Sequence, residues 1–240
     1  MALPKLETPT YTMVIQSTQK EIKYRPFLVK EEKVLLLAMQ EDTPAATHQA
    51  VLDLVKACTF GEVGEMGDPM VDIEYAFIKI SQKSISETVT VQLLCPDDKK
   101  TYGEVDIDLE DVMVLMDKDH KTNCSLGNDS NGNEVRLELS YPSVRSTLKA
   151  NEEKNSVESI FYMIKECIAE IHFGEDIYNK VDITDQDLDE FIDSLTQDQF
   201  ANLQEFFETM PKLKHEVDIV NPNTNVESTV TLEGLSDFLD

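Results

Sequence analysis

The chain has 240 residues, enough for one large domain or two small ones, and its 41% hydrophobic content is sufficient to build cores. Its 47 acidic and 21 basic residues leave a formal net charge of -26. Such a field repels phosphate backbones and anionic lipid, so neither nucleic acid nor a membrane surface is an expected partner. The four cysteines lie far apart and no secretory signal precedes them, which predicts reduced thiols in a cytoplasmic setting.

The first part of the chain predicts a β-hairpin followed by two short helices. Alternating apolar and polar residues in 11–15 and 21–24 indicate the two strands. A helical pattern follows over 29–41, and its apolar run 34–39 is expected to be a buried helix segment. Thr43 as N-cap and Pro44 in the first turn begin the second helix.

The stretch 68–112 is predicted to organise the chain. Asp68 is a suitable N-cap for a helix that begins with a proline. The residues 88–94 alternate as a strand, and the turn 95–103 returns the chain into a second, half-buried strand at 104–109. Because a weaker copy of the same order closes the chain, the sequence predicts two related helix-plus-hairpin modules.

The rest of the chain predicts a third strand pair and then helices. Residues 112–116 and 134–139 are expected to form the pair, with Asn131-Gly132 as the hairpin signal. The segment 141–155 is polar and irregular, and a long helix is predicted over 156–173.

The predicted fold class is therefore α+β, with short antiparallel sheets and hairpins packed with helices. The predicted division is an N-terminal α+β domain over 1–145 and a C-terminal helical domain over 146–240 that ends in a β-hairpin.

No set of residues predicts catalysis or a cofactor. Cys95-Pro96 in a hairpin looks like half of a zinc knuckle, but aspartates occupy positions 97 and 98 and the sequence has no Cys-x-x-Cys. The four histidines are scattered, and none lies in a local catalytic signature. We therefore expect a protein without metal, cofactor or enzymatic activity. A hydrolase whose groups meet only in the folded chain stays open.

The candidate partner-binding residues lie at the tip of the central hairpin. They are Asp97, Asp98, Lys99 and Tyr102, chosen because loop tips held on a rigid sheet often carry function. An ordinary solvated turn is the alternative reading of each.

Nine segments together resemble one protein family: Lys5–Pro9, Lys23–Leu28, Cys58–Phe60, Asp72–Lys79, Lys83–Val89, Leu94–Asp98, Ile107–Leu109, Phe206–Leu213 and Val230–Leu235. The family is that of the hub subunit and hub assembly proteins in the baseplate of T-even-type contractile-tailed phages. The resemblance covers most of the chain except about 113–155 and rests on packing and turn residues.

The resemblance implies a non-enzymatic protein that binds other baseplate hub or tape-measure proteins. Such a protein would act in the host cytoplasm during assembly, as an assembly factor or chaperone, or stay in the tail baseplate as a hub subunit. The large net charge favours the assembly factor, and the oligomeric state stays open. The alternative is an acidic decoy that binds a basic host DNA-binding protein.

Overall fold

The computed structural model describes residues 7–41, 43–84, 88–129, 132–152 and 155–239. Helices and short strands alternate along the chain in the following order: β1 (Tyr11–Val14), β2 (Glu21–Tyr24), α1 (Val29–Gln40), α2 (Pro44–Cys58), α3 (Met70–Gln82), β3 (Thr88–Leu94), β4 (Tyr102–Asp108), β5 (Met113–Leu115), β6 (Asn123–Asn128), β7 (Glu134–Leu139), α4 (Val144–Glu152), α5 (Ser156–Cys167), β8 (Ile168–Phe173), β9 (Asp176–Asn179), α6 (Asp185–Asp193), α7 (Gln197–Thr209), β10 (Lys212–Val220), β11 (Glu227–Glu233) and α8 (Ser236–Leu239). Every strand pair is antiparallel, which confirms the α+β prediction.

The chain folds into two compact units. Unit 1 contains residues 1–115 and 212–240, and unit 2 contains 116–211. This division differs from the predicted boundary between 145 and 146, because the last hairpin returns to unit 1. There β10 pairs with β5, and Lys212 lies directly opposite Leu115. A strand pair between residues distant in the sequence carries no local signal.

Unit 1 is built around α3, as the sequence predicts. Ile73, Ala76 and Ile80 are buried, and so are two of the helix's carboxylates. Asp72 accepts hydrogen bonds from the backbone N–H of Ser17, at 3.0 Å, and from the Ser17 hydroxyl. Glu74 Oε1 accepts one from the backbone N–H of Leu235 at 3.0 Å. The helix therefore holds the turn after β1 and the chain end after β11.

The start of α3 differs from the prediction. The helix begins at Met70 with Pro69 as its N-cap residue and without a side-chain cap. Asp68 Oδ2 instead accepts hydrogen bonds from the backbone N–H groups of Gly64 and Glu65, both at 2.8 Å. The Asp68 carboxylate therefore closes the preceding loop. It accepts from backbone N–H groups of that loop instead of from those at the start of the helix.

Unit 2 is a four-stranded sheet, in the order β6-β7-β8-β9, covered by helices. Its core includes Leu137, Ile164, Ile168, Leu203 and Phe206. Strand β7 pairs with β6 and β8, while β5 pairs with β10. This corrects the predicted third strand pair. Gly132 has a φ of 87°, as a hairpin turn requires, and Asn131 lies outside the described residues.

Two helix predictions in unit 2 are also corrected. Helix α5 ends at Cys167, and the chain continues without a loop as strand β8, so the last third of the predicted helix over 156–173 is strand. Over only six residues, the apolar positions of β8 fit both the helical and the strand period. The segment predicted to be irregular contains α4. Its sequence is largely polar, so it gave no clear apolar pattern from which to predict a helix.

The order of helix and then hairpin occurs twice, as α3 with β3–β4 and α7 with β10–β11. The second copy is shared between the units, because α7 lies in unit 2 and its hairpin in unit 1. In the described parts of the chain, each helix is too short or too polar to cross a bilayer.

Candidate partner-binding surface

The turns of the two unit 1 hairpins have the same backbone design. In the β3–β4 turn, the N–H of Lys99 donates to the carbonyl of Cys95 at 3.0 Å. In the β10–β11 turn, the N–H of Asn225 donates to the carbonyl of Asn221 at 2.8 Å. Lys99 and Asn225 have φ angles of 54° and 57°, and a proline is the second residue of both turns. The two modules therefore share their turn as well as their order.

Asp97 joins these two turns. The Asn221 amide Nδ2 donates to Asp97 Oδ1 at 2.9 Å and to Oδ2 at 3.1 Å. The Thr224 hydroxyl donates to Oδ2 at 2.6 Å. Asn221 is only 1% exposed, so its amide depends on this partner. The hydrogen bonds from Asn221 and Thr224 lower the pKa of Asp97 and hold it ionised.

Asp98 shapes its own turn. Its Oδ1 accepts hydrogen bonds from the backbone N–H groups of Lys100 and Thr101, both at 3.0 Å. Its Oδ2 accepts one from the Thr101 hydroxyl at 2.6 Å. These bonds from Thr101 and Lys100 hold the pKa of Asp98 well below its usual range. Asp97 and Asp98 therefore stabilise the turns, a role that their positions in the sequence did not predict.

Lys99 and Tyr102 present their side chains to solvent beside several apolar residues. Tyr102 is 59% exposed and lies opposite Leu94 in the β3–β4 register. Val220 and Val226, at the other turn, are also about half exposed. We call Leu94, Tyr102, Val220 and Val226 the turn patch. The structure thus brings the four predicted residues to one end of unit 1, where their role in binding stays a prediction.

Two close approaches make this end of unit 1 compact. A Cβ atom on Gly103 would lie 3.3 Å from the carbonyl oxygen of Val220, so β4 passes directly against β10. Asn223 Nδ2 also donates to Thr101 Oγ1 at 3.0 Å. The turn patch is therefore carried by two hairpins that support each other.

The position that suggested zinc is a buried thiol. Burial, with Asp97 and Asp98 nearby, raises the pKa of Cys95. Across the described ranges, no group of three or more His, Cys, Asp or Glu side chains could hold a metal ion. At the matching place in the second turn, the amide of Asn221 provides hydrogen bonds to the first.

Unit 2 contains a cleft of about 430 Å³, lined by Asp119, Lys121, Asn123, Cys124, Ser125, Asn202, Glu205, Phe206 and Thr209. Burial raises the pKa of Cys124, so the thiol stays protonated at neutral pH.

His120 stacks on Tyr141, and its Nδ1 lies 2.9 Å from Thr209 Oγ1. The Thr209 hydroxyl already donates to a backbone carbonyl, so His120 Nδ1 is the donor. Burial lowers the pKa of His120 and keeps it neutral.

The comparison with known families decides the identity. A family model described as T4 bacteriophage base plate protein matches residues 8–240. The chain belongs to this family. Neither the curated proteins nor the solved structures gave a match to the chain. The predicted resemblance is confirmed, and it assigns a structural or assembly role in the phage baseplate, among other baseplate proteins of the tail.

In this baseplate protein, sequence analysis missed a second apolar surface. The run 34–39 in α1 is only partly buried: Leu35 and Ala38 face the core, while Leu36 and Leu37 are half exposed. The expectation that the whole run is buried is thus wrong. Six consecutive apolar residues such as 34–39 cover the whole circumference of a helix and cannot all face one core, and that run was the available signal.

Proposed function

We propose that this protein promotes assembly of the baseplate hub by binding other hub components, and that it does so without catalysing a reaction. The observation that carries the proposal is the family match over residues 8–240. The hub role itself rests on the resemblance of the segments described above.

The surface of unit 1 supports a role in binding. Exposed aromatic and aliphatic side chains on a rigid support are the usual anchors of protein interfaces. The turn patch has such side chains at the tips of two hairpins that are bonded through Asp97.

The charge of the chain supports a reversible contact. A net charge of -26 favours solubility and fast electrostatic encounter, whereas permanent interfaces are large and apolar. Such contact suits an assembly factor. Burial also raises the pKa of Cys58 to about 11 and of Cys167 to about 12, which leaves these thiols protonated and unreactive and supports a non-enzymatic role.

The test is co-expression of the tagged protein with the hub and tape-measure proteins of its phage, followed by affinity capture at several salt concentrations. We expect capture of at least one of them. The variant Tyr102→Ser should weaken it about tenfold, as loss of an aromatic anchor does. Tyr178→Ser is the matched control, because Tyr178 is also about half exposed but lies in unit 2.

The outcomes separate the parts of the proposal. No complex with any hub or tape-measure protein at any salt concentration refutes the hub role. A complex that tolerates Tyr102→Ser together with Lys99→Ala removes the turn patch as the contact surface. Asp97 and Asp98 are left unchanged in these variants, because their loss would disturb the turns themselves.

A further inference from the structure

A groove runs between α5 and α6 within unit 2. It has a volume of about 560 Å³ and is lined by Glu158, Phe161, Tyr162, Lys165, Asp189 and Asp193. The first four of these residues lie on α5 and the other two on α6. The groove shares no lining residue with the cleft beside Cys124, so it is a separate feature of this unit. We call it the α5–α6 groove.

The helical period builds both walls of the groove. The α5 residues lie three, four and seven positions after Glu158 and therefore share one face of the helix. Asp189 and Asp193 are one turn apart on α6. Lys165 Nζ donates to Asp189 Oδ1 at 2.6 Å and joins the two walls. The α5 wall extends over roughly 10 Å at 1.5 Å per residue, long enough to hold an extended side chain.

Two aromatic rings line the α5 side of the groove. Phe161 is 36% exposed, and its ring stacks on Phe200 of α7 with centroids 5.5 Å apart. The ring of Tyr162 already accepts a cation, because Lys149 Nζ lies 4.5 Å from its centroid. The Phe161 ring is therefore held in place by packing while part of it faces solvent.

The groove carries negative charge that the protein itself does not neutralise. Within the described residues, Glu158 and Asp193 have no ion-pair partner, whereas Asp189 is paired with Lys165. Helix α6 contains five acidic residues and no basic one. Together with Glu158 they outnumber the two nearby lysines, Lys165 and Lys149. The groove therefore favours a cationic occupant.

An aromatic ring beside carboxylates fits an arginine side chain in particular. The planar guanidinium stacks on aromatic faces and donates two parallel hydrogen bonds to a carboxylate. A lysine ammonium is a strongly hydrated point charge and gains less from stacking. A metal ion is a poor fit, because no three suitable side chains converge in the described parts of the chain.

Other occupants are disfavoured by the same charges. Phosphate backbones and anionic lipid would be repelled by the carboxylates. A second copy would bring together two bodies of net charge -26. Of the three arginines in the chain, Arg25 and Arg136 are already ion-paired with Glu31 and Glu138. The arginine is therefore expected to come from a different protein.

We propose that the α5–α6 groove binds an arginine side chain presented by another baseplate protein. The inference rests on the proposed function and gives unit 2 a contact of its own. The Phe161 ring receives the face of the guanidinium, and Glu158 and Asp193 accept its hydrogen bonds.

The first test measures binding of defined probes to the full chain by fluorescence anisotropy. The probe is a fluorescein-labelled, alanine-based helical peptide with two arginines one turn apart. Control peptides carry citrulline or lysine at the same two positions. We expect the arginine peptide to bind about tenfold more tightly than the citrulline peptide and also more tightly than the lysine peptide. Equal binding of the arginine and citrulline peptides overturns the inference.

Matched charge variants separate the groove from the overall field of the protein. Glu158→Gln with Asp193→Asn removes two exposed carboxylates from the groove. Glu21→Gln with Glu227→Gln removes two exposed carboxylates from unit 1 and leaves the same net charge. We expect only the groove variant to bind the arginine peptide about tenfold more weakly. Equal losses in both variants would assign the binding to general attraction and overturn the inference.

A second variant pair changes no charge. Phe161→Leu keeps an apolar side chain against Phe200 but removes the exposed ring face. Phe173→Leu is the control, because Phe173 belongs to the same unit and is 37% exposed. Only Phe161→Leu should weaken binding of the arginine peptide, and both variants should keep the wild-type circular dichroism spectrum. Wild-type affinity in a folded Phe161→Leu variant contradicts stacking on this ring.

The capture experiment then tests the origin of the arginine. A photo-crosslinker in place of Val157, which is exposed one turn before Phe161, should label an arginine-bearing segment of the captured component. A crosslink to an acidic segment overturns the inference. Equal capture by the wild type and the groove variant also overturns it and leaves the proposed function standing. Failure of the wild type to capture any component refutes the hub role, and the peptide assay then decides the groove alone.

Discussion

Replacing Glu74 with glutamine is expected to stabilise unit 1 at neutral pH and to change little near pH 4. Glu74 is 8% exposed, and burial raises its pKa from 4.5 to about 7, with the charge of Asp237 adding to the effect. Between those two pH values the folded chain binds a proton that the unfolded chain has lost. Stability therefore falls as the pH rises from about 4.5 to about 7, and the loss is constant above that range.

The magnitude follows from the raised pKa. Each pH unit between the unfolded and the folded pKa corresponds to about 1.4 kcal/mol, so ionised Glu74 costs the fold roughly 3 kcal/mol above pH 7. Glutamine is uncharged, has the same shape and can still accept the hydrogen bond from the backbone N–H of Leu235. The variant should therefore gain up to about 3 kcal/mol at pH 8 and almost nothing at pH 4.

The assay is urea unfolding followed by circular dichroism at about pH 4, 6 and 8, with the free energy of unfolding extrapolated to water. Glu227→Gln is the matched control, because Glu227 is an exposed glutamate of the same unit. A gain that is equal at all three pH values would show that the effect is not ionisation. Destabilisation at pH 8 would show that the Glu74 charge is needed by the fold.

Three further predictions concern the paired turns, the cysteines and the two units. Asn221→Asp should destabilise the chain because it faces the carboxylate of Asp97, and adding Asp97→Asn should restore most of the urea midpoint by exchanging donor and acceptor. All four cysteines are buried, so Ellman's reagent should react slowly with the native protein and rapidly in urea. Joining Leu115 to Lys212 through Asn-Gly, with 116–211 removed, should leave a folded unit 1 by circular dichroism, because these residues face each other in the β5–β10 pair.

Local pattern predicted most of unit 1. The hairpin β1–β2, the helices α1 and α2 and the hairpin β3–β4 follow from residue period and turn chemistry, which act within a few residues. The prediction failed at β8 because its residue pattern fits a helix as well as a strand. It failed at α4 because that helix is polar and is held by packing, which local propensity does not report.

The candidate surface could be predicted only in part. The exposure of Lys99 and Tyr102 follows from a hairpin tip, whereas the bonds of Asp97 to Asn221 join residues 124 positions apart and have no local signal. The solvent exposure of Leu36 and Leu37 depends on which side of α1 meets the rest of unit 1, and that is a tertiary property.

The discontinuous course of unit 1 has a consequence for synthesis on the ribosome. The strand β5 is made early, but its partner β10 emerges only after the whole of unit 2. At 5–20 residues per second this delay is on the order of ten seconds. During that time the β3–β4 turn has been made and the β10–β11 turn has not. A nascent or truncated chain therefore cannot present the two turns joined through Asp97. Partners that recognise those turns would engage only polypeptides whose translation has passed β11.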